Sequence, residues 1–357
     1  MQLAVCALAL AGNTAFCAAP LPEPVLPNQA LEFPRDFGAH PGFRSEWWYA
    51  TGWLTKADGK PLGFQITFFR SATEHDAGNP SAFAPKQLII AHAAISDPAS
   101  GKLLHAQKSA RAGFGLAQAA SGDTDVTLDD WHFKRDPDGH YDASLVASDF
   151  TLQLRLTPTQ PLLLQGERGF SRKGPKAGQA SYYYSEPQLQ VSGSVTQNAT
   201  GKAAQAVTGS AWLDHEWSSN YLDTDAAGWD WTGINLDDGS ALMAFQIRGK
   251  SGAKLWSHAV LRDSAGKTRD FDGSQVTFST QRQWRSPHTD AVYPVATTIQ
   301  TGAIRWSLTP LMDDQELDSR LSTGAVYWEG AVKVARDGKP AGQGYLELTG
   351  YVKPLKL

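Results

Sequence analysis

The sequence contains very little cysteine. Of its 357 residues only Cys6 and Cys17 are cysteines, and both lie in an apolar N-terminal stretch. If that stretch is a leader that is removed, the rest of the chain has no thiol. This excludes a disulfide-stapled fold, a cysteine nucleophile and cysteine metal ligands.

Long runs of one charge and long apolar runs are also missing. The net charge is −4, and no basic stripe of the kind that nucleic-acid-binding proteins carry is present. We therefore predict no nucleic-acid partner. Beyond the N-terminal stretch no apolar run reaches the roughly 18 residues that a transmembrane helix needs, so we predict no transmembrane span.

The N-terminal stretch has the pattern of an export signal. Residues 1–19 carry no charge, Leu3 to Ala11 is apolar, and small residues follow up to Ala19. This pattern predicts a signal peptide over 1–19 and a periplasmic or secreted protein. The basic residues that normally open such a signal are absent, so we expect a few residues to be missing upstream.

Several cofactor and nucleophile motifs are absent as well. The sequence has no G-x-S-x-G elbow, no Walker loop, no dinucleotide-binding glycine pattern and no H-E-x-x-H motif. Its histidines are scattered without a close metal-ligand spacing. We predict no cofactor and no metal site.

What the sequence does contain is short runs of alternating apolar residues, such as "FQITFF" and "ALMAFQI". Asp-Gly pairs, which favour tight hairpin turns, separate many of these runs, for example at Asp58-Gly59 and Asp238-Gly239. The pattern predicts an antiparallel all-β chain.

The chain also repeats itself. "WYATGWLTKADGKPLGFQI" from Trp48 matches "WDWTGINLDDGSALMAFQI" from Trp229 at a spacing of 181 residues (229 − 48). Each copy is long enough for a closed barrel of roughly eight to ten strands, with a sandwich as the alternative. We predict one domain over 20–220 and a second over 221–357.

One cluster of ionisable residues occurs in a single copy of the repeat. "AWLDHEWSS" places Asp214, His215 and Glu216 in a row. When Gly209 is aligned with Gly344, the equivalent residues of the second copy are Thr349, Gly350 and Tyr351. Because structural needs should recur in both copies, this difference indicates a functional role.

Strand alternation divides the cluster between two faces. We expect His215 and Trp217 to point into a barrel, toward an aromatic pocket, and Asp214 and Glu216 to lie outside, toward the partner barrel. The alternative is a buried salt-bridge cluster with Arg44, Arg70 or Arg248. The candidate acid–base residues are Asp214, His215, Glu216, Asp230 and Glu46. The candidate ligand-binding residues, which could equally be core, are Trp47, Trp48, Tyr49, Trp217, Trp229 and Trp231.

Four segments in order, "HPGFRSEWWYATGWL", "GFQITFFR", "AWLDHEWSS" and "GWDWTGINLDDGSALMAFQIR", resemble the AttH-like and carotenoid 1,2-hydratase (CrtC-like) family. The resemblance implies two tandem lipocalin-like barrels, an exported or envelope protein and an apolar small-molecule ligand. Members of this group are often described as secreted hydrolases. The AttH branch is associated with an ABC transport system, so the resemblance also implies an envelope ABC transporter as a partner.

The resemblance extends to part of the hydratase site. The His-x-Trp element of the hydratases corresponds to His215 and Trp217, but the strand that should supply their aspartate reads "ALMAFQI" and has no carboxylate. Asp230, Asp214 or Glu46 could replace it. We expect an exported protein that binds an isoprenoid- or lipid-like ligand, with hydratase-type acid–base catalysis. The alternatives are a non-enzymatic carrier or accessory protein of a transporter and a secreted hydrolase.

Overall fold

The computed structural model of the chain describes residues 22–73, 79–81, 83–198 and 203–355. The predicted fold class is confirmed, because nearly all regular structure in these ranges is antiparallel β-sheet. The described residues include one short 3₁₀ helix, Arg35–Phe37. They contain no helix that could span a membrane. The predicted signal peptide lies outside the described residues.

The first sheet is built from the N-terminal part of the chain. Its strands follow the order β4-β3-β2-β1-β13-β12-β9-β8-β7-β6-β5, with β10 and β11 paired to β12. The sheet curls until β4 contacts β6, which makes a nearly closed barrel. The strands are β1 Ser45–Lys56, β2 Pro61–Ala72, β3 Gln87–Ser96, β4 Leu103–Arg111, β5 Ala117–Ala119, β6 Asp125–Leu128, β7 Trp131–Arg135, β8 Tyr141–Val146, β9 Phe150–Thr157, β10 Leu163–Leu164, β11 Phe170–Arg172, β12 Ala180–Gln197 and β13 Gln205–Asn220.

The second sheet follows after residues 221–225. Its order is β17-β16-β15-β14-β23-β22-β20-β19-β18, with β21 paired to β22. Its strand β16 approaches β18, so this sheet also curls around a core. The strands are β14 Ala226–Leu236, β15 Ala241–Gly249, β16 Lys254–Arg262, β17 Thr268–Phe271, β18 Val276–Arg285, β19 Val292–Thr301, β20 Ile304–Pro310, β21 Glu316–Ser319, β22 Ala325–Arg336 and β23 Lys339–Leu348.

The two sheets share one topology. In each, the first strand pairs with both the second strand and the last, as β1 does with β2 and β13 and as β14 does with β15 and β23. The internal repeat of the sequence therefore corresponds to a repeated strand order.

The residue-by-residue match of the repeat, however, is wrong by one position. Trp48 lies in the core of the first barrel, whereas Trp229, which matches it in sequence, lies on the outer face of the second. Leu54 pairs with Leu62 and Ile234 pairs with Leu242, with all four in barrel cores, so equivalent hairpin positions are 180 residues apart (234 − 54 and 242 − 62). A shift of one residue moves every side chain of a strand to its other face.

Alternation fills the interior of both barrels with side chains. In the first, the residues of β1 and β2 that point inward are mostly apolar, with Trp48, Leu54, Phe64 and Phe68 fully buried. The second barrel is filled in the same way by its own apolar residues. A pocket inside either barrel would have to displace this core.

The segment before β1 covers one end of the first barrel. Phe37 and Phe43 pack against Tyr182, Tyr184 and Trp217 in one buried aromatic cluster. The backbone carbonyl of Phe37 accepts a hydrogen bond of 3.2 Å from the indole of Trp48. This cover closes off the barrel end toward which Trp217 points.

Candidate functional site

A cavity of about 1010 Å³ lies between the two barrels. Its walls are the outer faces of β1, β2, β3 and β13 on one side and of β14, β15, β22 and β23 on the other. The expectation of an aromatic pocket inside a barrel is thus corrected, because the barrel interiors are filled and the space lies where two convex sheets meet.

The wall from the first barrel combines aromatic rings with carboxyl groups. Trp47 pairs with Glu216, and Tyr49 pairs with Asp214, across the β1–β13 ladder. Side chains of directly paired residues project from the same face, and all four line the cavity. Asp214 and Glu216 therefore lie outside the first barrel and face the second, as alternation indicated.

Asp214 is buried and held by three donors. Ser185 and the indole of Trp212 donate to its Oδ1 atom at 2.5 and 2.6 Å, and the hydroxyl of Tyr183 donates to Oδ2 at 2.7 Å. Burial raises the pKa of Asp214 to about 7, even though the three hydrogen bonds act to lower it. Near neutral pH this carboxyl group can therefore both give and take a proton.

Glu216 forms an ion pair with a lysine from the loop after β11. The ammonium of Lys173 lies 2.8 Å from Glu216 Oε1 and is itself buried. It also sits over the rings of Tyr183 and Phe245, at 4.6 and 4.4 Å from their centroids. The cavity wall thus holds an ammonium group between a carboxylate and two aromatic faces.

The wall from the second barrel repeats this chemistry. Trp229 and Trp231 project into the cavity from β14, and Trp229 donates a hydrogen bond of 2.9 Å from its indole to Glu347. Glu347 is directly opposite Glu329 across the β22–β23 ladder, and both line the cavity.

Glu329 and Glu347 form a carboxyl pair at this wall. Burial is the largest cause that raises the pKa of each, and for Glu329 the charge of Glu347 adds to it. Neither oxygen of Glu329 has a hydrogen-bond partner among the described residues, although its side chain is buried. Like charges this close cannot both ionise without cost, so the pair holds a proton near neutrality.

Glu46, His215 and Trp217 lie on the opposite face of their strands. Of the three, Glu46 borders the cavity, where it is fully buried. Glu46 accepts hydrogen bonds from His40 at 2.7 Å, from His215 at 2.8 Å and from Arg70 at 2.7 Å. The ring of His40 stacks on Trp217, with 3.7 Å between the ring centroids. The salt-bridge alternative therefore describes Glu46 well, with Arg70 as its partner.

This inner network keeps Glu46 charged. Burial by itself would raise its pKa, but hydrogen bonds and charge from His215 and His40 outweigh burial and hold the pKa well below its usual range. Burial lowers the pKa of His215. The nitrogens of the two histidines and one oxygen of Glu46 lie close enough together to ligate a metal ion. Arg70 already compensates Glu46, however, so the geometry is that of a hydrogen-bonded ion network.

Two more candidates also lie apart from the cavity. Trp48 is stacked on His215 inside the first barrel, with 4.6 Å between the ring centroids. Asp230 points into the second barrel, where Arg248 and Tyr351 bind its Oδ1 atom at 2.9 and 3.0 Å. Arg248 is one of the three arginines that the salt-bridge alternative named. Of the predicted site residues, those that line the cavity are Glu46, Trp47, Tyr49, Asp214, Glu216, Trp229 and Trp231.

His92 joins the two barrels at the cavity. Its Nδ1 atom lies 2.8 Å from the hydroxyl of Tyr327, and its Nε2 atom lies 2.8 Å from the hydroxyl of Ser322. The Ser322–His92 contact has the form of a nucleophile and its base. Burial lowers the pKa of His92 to about 3, which makes it too weak a base to activate a serine near neutral pH. We therefore assign His92 to the interface between the barrels.

Sequence reasoning missed several lining residues. Glu329 and Glu347 are the single acidic residues of two mostly apolar segments, "AVYWEGAVKV" and "GYLELTG", and that isolation was a usable signal. Lys173 lies in the segment between β11 and β12, and no pattern in that part of the sequence indicates that its side chain enters a site. The additional residues that line the cavity include His92, Lys173, Tyr221, Phe245, Glu329 and Glu347.

Comparison with known proteins agrees with this architecture. A family model for AttH-like proteins matches residues 24–351. The chain belongs to the AttH-like family. A Nitrosomonas europaea protein provisionally named AttH, whose crystal structure is known, is 64% identical over 92% of this chain and 99% of that one, with a TM-score of 0.87. A sequence search of curated proteins found no match.

More distant AttH-like folds also appear among solved structures. Kievitone hydratase from Nectria haematococca is 13% identical, with a TM-score of 0.70 over 94% of this chain and 97% of the hydratase. CghA, solved with Sch210972, is 13% identical, with a TM-score of 0.54 over 93% of this chain and 96% of CghA. At this level of identity the two likenesses show a shared fold, and the lipocalin-like architecture is therefore common to all three proteins.

Proposed function

We propose that this AttH-like protein binds an apolar, isoprenoid- or lipid-like molecule between its barrels and adds water across a carbon–carbon double bond of that molecule. The observation that carries the proposal is the combination of an aromatic cavity with carboxyl groups of raised pKa on both walls. The structural likeness to a hydratase supports it at the level of the fold.

Hydration of an alkene begins with a proton that only a strong or well-placed acid delivers. In this proposal Asp214 is that acid, because its pKa of about 7 leaves a substantial protonated fraction at neutral pH. Its three hydrogen bonds hold the carboxyl group in a fixed position at the cavity wall. A positioned acid of this kind contributes about 10²–10⁴-fold to a rate.

The cation that protonation creates would lie among indole rings. Trp47 on one wall and Trp229 and Trp231 on the other all line the cavity. An aromatic face stabilises a nearby cation by about 2 kcal/mol when water is excluded. The same rings give the apolar substrate its binding surface.

Water then attacks the cation and must lose a proton. Glu329 and Glu347 lie on the opposite wall and share a proton, so the ionised member of the pair can accept the proton of the attacking water. Proton transfer back to Asp214 restores the starting state. The reaction therefore uses an acid on one wall and a base on the other.

The test is a comparison of turnover and binding. The purified protein is incubated with prenylated phenols and isoprenoid alkenes in ¹⁸O-labelled water, and labelled alcohol is measured by mass spectrometry. We expect Asp214→Asn to lower the rate by about 10²-fold or more, while the dissociation constant changes little. Asp138→Asn, at an exposed turn, is the matched control.

Two results would count against hydration. If the unmodified protein adds no label to any alkene, the proposed hydration is wrong. If Asp214→Asn has an unchanged rate, Asp214 is not the acid. A rate that falls equally in the Asp138→Asn control would show that Asp214→Asn lowers the rate by destabilising the protein.

A carrier function is the second candidate. It is favoured by the complete hydrogen bonding of Asp214, since both oxygens are already occupied by donors from the protein. A carrier would retain its ligand unchanged. Mass spectrometry of an organic extract of the native protein would then show a bound apolar molecule, and no substrate would be turned over.

Export and a transporter partner are part of the same proposal. Both rest on residues 1–19 and on the family resemblance, and the former lie outside the described residues. N-terminal sequencing of the protein purified from its native cell should begin beyond residue 17. An intact Met1 would contradict export.

A further inference from the structure

We infer that the cavity selects ligands with a positively charged amino head group, which the Glu329–Glu347 pair and the aromatic rings around it would hold. This inference rests on the cavity used in the proposed function and names the class of molecule that it prefers. It concerns binding alone and requires no chemical step.

The first observation is the unsatisfied state of Glu329. Its side chain is 2% exposed, it lines the cavity, and neither of its oxygens has a hydrogen-bond partner in the described ranges. The hydroxyl of Tyr49 faces Glu329 and acts to lower the pKa of that carboxyl group, but no hydrogen bond of normal geometry joins the two side chains. A buried carboxyl group without partners is costly, so a donor supplied by a ligand would stabilise it.

The second observation is the way in which the protein places its own ammonium group. Lys173 reaches into the cavity and contacts a carboxylate, Glu216, between the rings of Tyr183 and Phe245. Glu329 and Glu347 offer carboxyl groups beside aromatic rings in the same way, and no cationic side chain of the described residues forms an ion pair with either of them. The arrangement around Lys173 shows that an ammonium group fits these walls.

The distribution of charge decides between a cationic and an anionic head group. The arginines and lysines that line the cavity are Lys173 and Arg70, which are buried and paired with Glu216 and Glu46, and Arg44 and Lys86, which are exposed. An anionic head group would meet carboxyl groups in the depth of the cavity, whereas an ammonium group would be attracted to them.

The groups that act on the carboxyl pair come from several elements. The negative charges of Asp214 and Glu216 on β13 and of Asp230 on β14 raise the pKa of Glu347. Lys173 forms an ion pair with Glu216. The tyrosines that face the pair are Tyr49, Tyr327 and Tyr345. Because the pair holds a proton near neutrality, an arriving cation should expel that proton.

The experiment compares three probes with the same chain, namely dodecylammonium, dodecanol and dodecanoate. Binding to the full-length protein is measured at pH 7 by calorimetry in two buffers with different ionisation enthalpies, which gives the affinity and the number of protons released. We expect dodecylammonium to bind at least tenfold more tightly than dodecanol, equal to about 1.4 kcal/mol. Its binding should release up to one proton, whereas dodecanol binding should release none.

Variants test whether the carboxyl pair causes the preference for dodecylammonium. Glu329→Gln and Glu347→Gln are expected to reduce the preference for dodecylammonium to less than about threefold and to abolish proton release. Glu167→Gln, at an exposed position, should leave both unchanged. Near-UV circular dichroism confirms that each variant is folded, and the comparison of probes on the unmodified protein does not depend on any variant.

Equal or tighter binding of dodecanol or dodecanoate would overturn the inference, as would a preference that survives in both glutamine variants. These outcomes leave the hydration proposal standing if neutral alkenes still take up label from water. Conversely, a clear ammonium preference without any hydration would overturn the proposed reaction and keep the ligand class.

Discussion

Two glutamates buried in the first barrel differ in the direction of their pKa shifts. Glu46 has ionic and imidazole partners, and its pKa is held low in spite of burial. Glu186 has the hydroxyl of Tyr141 as its hydrogen-bond donor, and burial raises its pKa to about 7. The contrast shows that the partners of a buried carboxyl group decide its charge.

The raised pKa of Glu186 predicts a stability that depends on pH. The folded state binds the proton of Glu186 more tightly than the unfolded state, so this contribution is fully present below about pH 4.5 and is lost as the pH rises toward 7. Between pH 5 and pH 8 we expect Glu186 to lower the free energy of unfolding by about 2–3 kcal/mol.

Urea unfolding of the unmodified protein and of Glu186→Gln at pH 5 and pH 8 measures this contribution. The variant should lose less stability over the interval than the unmodified protein does. Glu167→Gln, whose side chain is exposed, should follow the unmodified protein. Parallel pH profiles for all three proteins would show that Glu186 titrates alike in the folded and unfolded states.

At the level of the strands, two glycines allow the last strand of each sheet to lie against the first. A Cβ atom at Gly209 in β13 would lie 1.9 Å from the carbonyl oxygen of Trp53, and one at Gly344 in β23 would lie 2.3 Å from that of Gly233. These are the two glycines that the sequence alignment of the final strands matched. The close approach of backbones explains why glycine stands at both positions.

The close approach predicts a specific loss of stability. Gly209→Ala must displace the backbone of β1, and we expect it to lower the free energy of unfolding by about 1–3 kcal/mol. Gly122→Ala is the control, because a Cβ atom there would meet no atom within 4 Å. Chemical denaturation of both variants gives the comparison, and equal stabilities would contradict the packing described for β13.

At the level of the whole molecule, the barrels are joined by apolar packing and by buried hydrogen bonds. The indole of Trp53 donates to the carbonyl of Gly344 at 2.9 Å, and Asn235 donates to the carbonyl of Ala211 at 2.9 Å. Residues of both sheets form one apolar cluster around these contacts. Separation of the barrels would expose this cluster to water.

We therefore expect the two barrels to unfold together. Differential scanning calorimetry should show one transition whose calorimetric enthalpy equals its van't Hoff enthalpy. Trp53→Phe, which removes one hydrogen bond across the interface, should lower the temperature of that single transition. Two separate peaks in the unmodified protein would show that the interface adds little to stability.

The sequence by itself determined the all-β class and the division of the Asp214–Glu216 cluster between two faces of its strand. Both follow from local chemistry, since hairpin turns and a period of two depend only on neighbouring residues. The same local rule separated Asp214 and Glu216 from His215 and Trp217. The alignment of the two repeats was wrong by one residue because identical residues in equivalent strands of the two barrels need not lie on the same face.

Only the tertiary structure decided where the cavity lies and which groups share it. Glu329 and Glu347 are more than a hundred residues from Asp214 in sequence, and they meet it only because the outer faces of two barrels come together. The charge states of these carboxyl groups depend in turn on burial and on partners brought from distant strands. Burial and long-range contacts are properties of the folded chain, and no local pattern encodes them.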